Sequence, residues 1–272
     1  MPGRTHHLIT GTALSADGTS IAYDRSGAGP AIILVQSAMT DRSHPTLVAV
    51  AAALAPWFTV YNYDRRGRGG SGDNQPYAVA REIEDLAALI AIAGGSAMVF
   101  GGSSGAGLVL EAAVGNPAIS RVVAWEPPYH VDPSAPDLPA DFGDRLSQLV
   151  SDGRPGDAVE LFMTAAAEVP SQAVAAMRAD PSWAAAEAVA HTLAYEAAVM
   201  GPGNELPAGR FASVTQPTLV LTGGNSPVWM VNAGKAVAAA IPRATLRVLD
   251  GQMHNAAAEA LVPELLGFFM IS

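Results

Sequence analysis

The sequence predicts an α/β fold in which a mostly parallel sheet is flanked by helices and interrupted by a helical insertion. Three observations support this prediction. From residue 31 onward, short apolar runs alternate with segments of helical periodicity. A glycine-rich turn, residues 101–105, joins one apolar run to one helical segment. The alternation stops after Glu126, at a proline-rich stretch, and returns at residue 218.

Composition limits the class of protein. The chain has 272 residues, of which 50% are hydrophobic and 15% are charged, a balance typical of a compact folded domain and not of disorder. The formal net charge of -10 disfavours nucleic-acid binding, which needs clustered lysine and arginine. Because the chain has no cysteine, a disulfide, a thiolate metal site and a cysteine nucleophile are excluded.

Neither a secretory signal nor a membrane span is expected. Residues 1–12 lack an apolar core of the length that a signal peptide needs, so a cytoplasmic location is the expectation. Residues 86–110 carry no charge, but Gly94-Gly95 and the turn at 101–105 divide them. We therefore interpret them as a helix end, a strand and a turn in the core.

The first half of the chain predicts a hairpin followed by parallel strands. The Asp17-Gly18 pair is a tight-turn signal between strands Leu8–Leu14 and Thr19–Asp24. The β-branched run Ala31–Gln36 is typical of a strand covered on both faces. The next predicted elements are helix Ser43–Leu54, strand Phe58–Tyr63, helix Tyr77–Ala93, strand Ala97–Phe100, helix Ser104–Val114 and strand Ile119–Trp125.

The second half predicts helices and then a return to the sheet. Helical segments are expected near 140–152, 155–168, 171–179 and 182–200, followed by a loop at 201–209. The last predicted elements are strand Thr218–Thr222, helix Val228–Ala240, strand Thr245–Leu249 and helix Ala256–Phe269. We expect a sheet domain, residues 1–127 and 210–272, and a helical lid, residues 128–209.

Ser103 is the candidate nucleophile. Residues 101–105 read Gly-Gly-Ser-Ser-Gly and match G-x-S-x-G between a strand and a helix, the context that gives this motif its meaning. Such a turn presents the serine hydroxyl above the sheet, beside helix N–H groups that stabilise an oxyanion. Ser104 is a rival nucleophile, but its frame ends at Ala106. A glycine-rich turn with idle serines is the alternative.

His254 is the candidate general base, which a weakly nucleophilic serine hydroxyl requires. It alone of six histidines follows the last predicted strand, and that loop and the Ser103 turn both follow carboxyl ends of parallel strands. A surface or helix-capping histidine is the alternative. The remaining histidines lie near the N-terminus, near helix starts or in the insertion: His6, His7, His44, His130 and His191.

The turn at Ser103, the loop Gln36–Met39, the YDRRGRGGSG loop at 63–72 and the late His254 together resemble an α/β-hydrolase over nearly the whole chain. That resemblance implies a triad acid after the strand preceding the last one. The chain has Asn225 and Ser226 there and no carboxylate. Neither side chain can stabilise an imidazolium by charge.

Glu126, at the end of the strand beside the nucleophile strand, is the alternative acid. A displaced acid of this kind occurs in the zearalenone lactonases, and this chain resembles them at residues 103–106, at Glu126 in an E-x-P segment and at His254. The resemblance implies that Glu126 is the triad acid. Asp250 is the runner-up, badly placed only four residues before His254, and Glu126 as a mere cap or ion-pair partner is the other interpretation.

The same resemblance implies an oxyanion hole made by the backbone N–H groups of Ala38 and Ser104. We interpret the arginine-rich loop Asp64–Gly69 as structural, with a phosphate site as the alternative.

Substrate contacts are expected from apolar side chains around the insertion. The candidates are Met39, Tyr129, Met163, Trp183 and Tyr195, and the lid also carries Phe162, Met177 and Met200. Trp183 resembles the lid tryptophan that lines the lactonase pocket. Others are expected to pack the lid onto itself.

The expected function is hydrolysis of a carboxylic ester or lactone of a fairly bulky apolar substrate through an acyl-enzyme, without metal or organic cofactor. The expected partner is the small-molecule substrate, with a homodimer as an option. C–C hydrolysis, thioester hydrolysis and haloperoxidase-like chemistry would use the same triad. Epoxide hydrolysis and dehalogenation are disfavoured because they want aspartate where Ser103 stands. A binding protein or lapsed scaffold is the alternative from another class.

Overall fold

The computed structural model describes residues 7–271. In this part of the chain one sheet has eight strands in the order β1-β2-β4-β3-β5-β6-β7-β8. The strands are β1 Ile9–Leu14, β2 Ser20–Gly27, β3 Ala31–Val35, β4 Thr59–Tyr63, β5 Ala97–Gly102, β6 Ile119–Trp125, β7 Thr218–Gly223 and β8 Ala244–Leu249. Strand β2 runs antiparallel to β1 and β4, and the pairs from β4 to β8 are parallel. The predicted hairpin and parallel sheet are confirmed.

Helices cover both faces of the sheet, which explains why β3 and β5 are apolar throughout. Helices α1 Pro45–Leu54 and α11 Ala258–Phe269 pack on one face. Helices α2 Val79–Ile92, α3 Ser104–Ala113 and α10 Val228–Ala240 pack on the other. The uncharged stretch 86–110 is thus mostly buried, apart from the end of α2 and the turn before β5, and within residues 7–271 no helix is long and apolar enough to cross a membrane.

The helices between β6 and β7 pack partly in a hydrophobic cluster of their own and partly, through Val199, Met200 and Phe211, in the main core. They are α4 Phe142–Ser151, α5 Pro155–Ala165, α6 Ser171–Arg178, α7 Trp183–Ala188, α8 Leu193–Met200 and α9 Ala208–Phe211, with 3-10 turns at Ala190–Thr192 and Pro202–Asn204. Helix α9 lies partly in the predicted loop. The helical segment expected over 182–200 is interrupted: α7 ends at Ala188, and the 3-10 turn, where the Thr192 hydroxyl bonds to the Val189 carbonyl (2.7 Å), leads into α8.

Candidate active site

Ser103 lies at the turn between β5 and α3, with φ 55° and ψ -126°. Its backbone N–H donates to the Trp125 carbonyl on the neighbouring strand at 2.8 Å, so the sheet ladder extends to the turn. A non-glycine residue at positive φ is strained and persists only where its surroundings fix it. The sheet on one side and the helix on the other hold Ser103 in this conformation.

The two outer glycines of the motif are required by steric contacts. A Cβ on Gly101 would lie 2.2 Å from the Gly105 carbonyl oxygen, and one on Gly105 would lie 2.6 Å from that of Gln36. A Cβ cannot lie this close to a backbone oxygen, so a side chain at either position would force the turn to move. The glycine spacing seen in the sequence therefore reflects close packing of the turn against itself and against the loop after β3.

Glu126 is the residue after β6 and is completely buried. Its Oε2 accepts a hydrogen bond from His254 Nδ1 at 2.8 Å, and its Oε1 accepts one from the Gly223 N–H at 2.7 Å. Because a carboxylate has only acceptors, the proton of a neutral His254 ring lies on Nδ1 and Nε2 keeps a free lone pair. The contact expected between Glu126 and His254 is present.

His254 lies in the loop between β8 and α11. Its carbonyl accepts a hydrogen bond from the Trp125 indole N–H at 2.8 Å, and its side chain is about one third exposed (34%). Trp125 is thus bonded by its carbonyl to Ser103 and by its side chain to the His254 loop. One residue joins the two halves of the site.

Neither Asn225 nor Asp250, the alternative partners, bonds to the His254 ring. The Asn225 N–H donates to the Gln252 carbonyl at 2.9 Å, and Asp250 lies beside Gly224. At the end of β7 the chain instead offers the backbone N–H of Gly223 to Glu126. A Cβ at Gly223 would lie 2.4 Å from the Gln252 carbonyl oxygen, so this position must be glycine.

The loop after β3 brings Ala38 to the cavity that Ser103 and Ser104 also line. The Ser37 hydroxyl donates to the Gly102 carbonyl at 3.0 Å, which ties this loop to the turn at Ser103. Neither the Ala38 nor the Ser104 N–H donates to a protein acceptor within residues 7–271. Both predicted oxyanion donors are therefore free to bond to a ligand.

The arginines of the loop Asp64–Gly69 pair with buried carboxylates, which supports its interpretation as structural. Arg65 forms ion pairs with Glu82 (2.6 Å) and Glu196 (2.8 Å), and Arg68 also contacts Glu196. Burial lowers the pKa of the Arg65 guanidinium, but the charge and hydrogen bonds of Glu82, together with Tyr77 and Tyr63, raise that pKa above its ordinary value. Burial raises the pKa of Glu82, and Arg65 outweighs this and lowers it. Arg66 pairs separately with Asp17 and Asp85.

A cavity of about 800 Å³ lies over Ser103 and His254. Its wall comes from the loop after β3, the start of α1 and the helices between β6 and β7. Apolar side chains make up much of the wall, among them Met39, Leu47, Phe142, Phe162, Met163, Met200, Met230 and Leu261. A largely apolar cavity with a few polar groups is typical of a small-molecule site.

Of the five predicted substrate contacts, Met39 and Met163 line this cavity. Tyr129, Trp183 and Tyr195 are absent from the part of its wall that the structure describes, and their expected placement needs correction. Tyr129 is fully buried behind the sheet, where its ring packs edge-on against Phe211 at 5.7 Å. The turn that follows the prolines directs it into the main core.

Trp183 and Tyr195 are turned away by their helices. Trp183 is 8% exposed and packs against Gly156 of α5, with its indole N–H donating to Glu187 at 3.1 Å. Tyr195 stacks on Tyr77 at 3.8 Å. Successive helical residues lie about 100° apart, so Glu196, and not Tyr195, faces the cavity from α8.

Two acidic residues of the wall were missed by the sequence analysis. Glu196 bonds to Arg65 and Arg68, whereas Glu168 is exposed and accepts a hydrogen bond from the Trp229 indole N–H at 2.5 Å. The alternation of apolar and polar residues in the insertion gave no signal for either, because both depend on partners distant in the sequence.

Backbone strain concentrates at this site. In the described chain the non-glycine residues at positive φ are Met39, Ser103, Glu126, Glu168 and Asn204. Four of them line the cavity and Glu126 bonds to His254. Strained residues cluster at functional sites because only a rigid surrounding structure can hold them there. The clustering is an independent indication that this cavity is the functional one.

Comparison with known proteins agrees with this geometry. The family model described as serine aminopeptidase, S33 (Hydrolase_4) matches residues 31–260, well over half of the chain. The chain belongs to this hydrolase family. This chain is 51% identical to an alpha/beta hydrolase from Sphaerobacter thermophilus DSM 20745 whose crystal structure is known. The TM-score is 0.88, over 96% of this chain and 100% of that one.

Two further relatives are hydrolases. One is the structure of a hydrolase from Pseudomonas aeruginosa PA01, 25% identical with a TM-score of 0.72 over 96% of this chain and 98% of that one. The other is the uncharacterized hydrolase YraK of Bacillus subtilis (strain 168), 36% identical over 115 residues, 40% of this chain. The present chain spans only 41% of the length of YraK. The protein is an enzyme with the α/β-hydrolase fold.

Proposed function

We propose that this enzyme hydrolyses a carboxylic ester or lactone of a fairly bulky apolar substrate through a Ser103–His254–Glu126 triad. The observation that carries the proposal is the 2.8 Å hydrogen bond from His254 Nδ1 to the buried Glu126, in a site whose cavity Ser103 and His254 both line. The resemblance to the zearalenone lactonases, which place their acid similarly, supports a lactone among the candidate substrates.

The proposed mechanism follows from the hydrogen-bond donors and acceptors that each residue can offer to a substrate. His254 Nε2 takes the proton of the Ser103 hydroxyl as its oxygen attacks the substrate carbonyl, and the Glu126 carboxylate stabilises the resulting imidazolium. The N–H groups of Ala38 and Ser104 stabilise the oxyanion. The imidazolium then protonates the leaving alcohol, which leaves an acyl-enzyme. Water, deprotonated by His254, cleaves that ester and releases the acid and free Ser103.

Charge in the cavity favours a neutral substrate. The described wall has no lysine or arginine, and its carboxylates are Glu168 and Glu196. Glu196 is neutralised by Arg65 and Arg68, so Glu168 remains as an uncompensated negative charge. A substrate carboxylate would lose its hydration here and meet a like charge. We therefore place neutral acyl chains ahead of anionic ones.

The helical segment 128–209 acts in this proposal as a lid. It supplies Phe142, Phe162, Met163 and Met200 to the cavity wall but none of the triad residues. Helices α4 to α7 pack in a hydrophobic cluster of their own, and α8 anchors them to the main core through Val199 and Met200. The lid controls access and substrate size, and the sheet edge performs the chemistry.

The test combines an active-site probe with a matched substrate pair. A fluorophosphonate should label the wild type, and Ser103→Ala should remove both labelling and ester turnover, the latter by about three orders of magnitude or more. Ser104→Ala is the control and should retain labelling. Mono-p-nitrophenyl succinate, which adds a terminal carboxylate to p-nitrophenyl butyrate, should be hydrolysed with a kcat/KM about tenfold lower or worse.

Each arm can fail separately. A wild type that neither labels nor hydrolyses p-nitrophenyl esters and macrolactones would be a binding protein or a lapsed scaffold. Labelling that survives Ser103→Ala and disappears in Ser104→Ala would move the nucleophile by one residue. Equal turnover of the succinate and butyrate esters would show that the Glu168 charge does not disfavour anionic substrates, which would then be as good candidates as neutral ones.

A further inference from the structure

The carbonyl of the peptide between Ser37 and Ala38 is held by a buried guanidinium, that of Arg68, and by the Thr40 hydroxyl, which donates to it at 2.9 Å. Arg68 Nη1 donates to the Ser37 carbonyl at 2.5 Å and to the Thr40 carbonyl at 3.3 Å. Arg65 Nη1 donates to the Gln36 carbonyl at 3.3 Å. The Ser37 carbonyl, before Ala38, and the Thr40 carbonyl, after it, thus both accept hydrogen bonds from Arg68.

Planarity transmits this constraint to the Ala38 N–H. A trans peptide is rigid, and its N–H points opposite to its C=O. The carbonyl of Ser37 and the N–H of Ala38 belong to the same peptide plane, so fixing the first fixes the second. A hydrogen bond from a charged donor also polarises the peptide and strengthens its N–H as a donor. Arg68 therefore affects both the direction and the strength of the Ala38 N–H.

The loop needs such a constraint because its local conformation is unfavourable. Met39, the next residue, has φ 57°, where a non-glycine side chain is strained. The turn bond from the Thr40 N–H to the Ser37 carbonyl is long, 3.4 Å. Without Arg68, the Ser37 carbonyl would keep only its bonds from Thr40, and rotation of the Ser37–Ala38 peptide would turn the Ala38 N–H out of the cavity.

Arg68 is itself held by the helices over the site. It contacts the carboxylate of Glu196 on α8, and its Nε donates to the Thr192 hydroxyl at 3.2 Å. Arg68 and Arg65 together balance the buried Glu82 and Glu196. One guanidinium thereby connects the loop that carries Ala38 to the lid, and the orientation of the Ala38 N–H depends on where α8 lies.

We propose that Arg68 is a positioning residue for the oxyanion hole: it holds the Ser37–Ala38 peptide so that the Ala38 N–H points into the cavity, and Glu196 makes this depend on the lid. The inference rests on the proposed function for its kinetic consequences. Its structural content, the orientation of one peptide, does not.

The experiment compares Arg68→Lys with Arg66→Lys. Lysine keeps the buried charge but lacks the planar guanidinium, which contacts two loop carbonyls, the Thr192 hydroxyl and the Glu196 carboxylate at the same time. Arg66 is a matched control because it is equally buried and paired with Asp85 and Asp17, and it donates to none of these loop carbonyls. A general loss of stability should lower Tm in both variants alike.

For Arg68→Lys we expect kcat for p-nitrophenyl butyrate to fall about 10- to 100-fold with KM within about threefold, since deleting a whole oxyanion donor costs about 10²–10³. Butylboronic acid, whose tetrahedral adduct places an oxygen in the hole, should bind more weakly by a similar factor. Glu196→Gln should show a smaller loss of the same kind. Arg66→Lys should keep kcat and boronate affinity within about threefold.

Crystal structures of the two variants separate this inference from the proposed function. The Ser37–Ala38 peptide should rotate or lose order in Arg68→Lys and keep its place in Arg66→Lys. A peptide that keeps its place in both, or equal kinetic losses in both, would overturn the positioning role. A wild type without hydrolase activity would refute the proposed function while the peptide orientation could still be read.

Discussion

The carboxyl edge of the sheet and the helices between β6 and β7 place their side chains by different means. At the sheet edge, backbone hydrogen bonds fix Ser103 and Glu126: the Ser103 N–H bonds to the Trp125 carbonyl, and the Glu126 N–H bonds to the Leu221 carbonyl at 2.9 Å. Among the helices, side-chain packing fixes Trp183 and Tyr195. The first kind of position follows from strand order and the second from contacts between distant segments.

This difference explains which parts of the site could be predicted. Strands separated by helices imply a parallel sheet, and carboxyl ends of parallel strands share an edge, so Ser103, Glu126 and His254 could be placed together from the sequence. Glycine spacing located the turn because only glycine fits there. These arguments need no knowledge of which side chains touch.

The helices resisted prediction for a physical reason. The helical segment expected over 182–200 is interrupted by the 3-10 turn that ends at Thr192, whose hydroxyl also accepts a hydrogen bond from Arg68, 124 residues away along the chain. In α8, which follows this turn, Glu196 lines the cavity and Tyr195 stacks on Tyr77. Periodicity within the segment contains no information about either partner.

After removal of the nucleophile itself, the largest effect is expected at the sheet edge, from Glu126→Gln. Glutamine keeps the size but has one acceptor oxygen where the carboxylate offers separate oxygens to His254 and the Gly223 N–H, and it removes the charge that stabilises the imidazolium. Turnover of p-nitrophenyl butyrate should fall by about two to four orders of magnitude, on the precedent of serine triads. Steady-state kinetics with the circular dichroism spectrum as a folding check would measure this.

Asp250→Asn is the matched control, since it removes a carboxylate from the His254 loop that does not bond to the ring. Its turnover should remain within about threefold of the wild type. If Asp250→Asn were the more damaging change, the acid would have been assigned to the wrong residue, and the advantage claimed for positions fixed by the sheet would disappear.

A smaller, substrate-dependent effect is expected from Met163→Ala on the cavity wall. Met163 contacts the cavity from α5, so its removal takes away apolar contact with a bound acyl chain. A methylene-sized contact is worth about 1–3 kcal/mol, so kcat/KM for p-nitrophenyl octanoate should fall about tenfold while that for the acetate stays nearly constant. Equal effects on both esters would show that Met163 acts through the fold and not through substrate contact.

The smallest effect on catalysis is expected from Trp183→Ala, although this change should cost the most stability in the helices over the site. The indole is buried against α5 and lies away from the described cavity wall, so small and long esters should keep their kcat/KM within about twofold at 20 °C. Removing a buried tryptophan typically costs about 3–5 kcal/mol. Thermal unfolding should therefore begin at a lower temperature, and limited proteolysis should cleave within 128–209 first. A raised KM for long esters with an unchanged unfolding temperature would instead show that Trp183 contacts the substrate. The position of a lid residue would then have been predicted from resemblance as well as the positions that the sheet fixes.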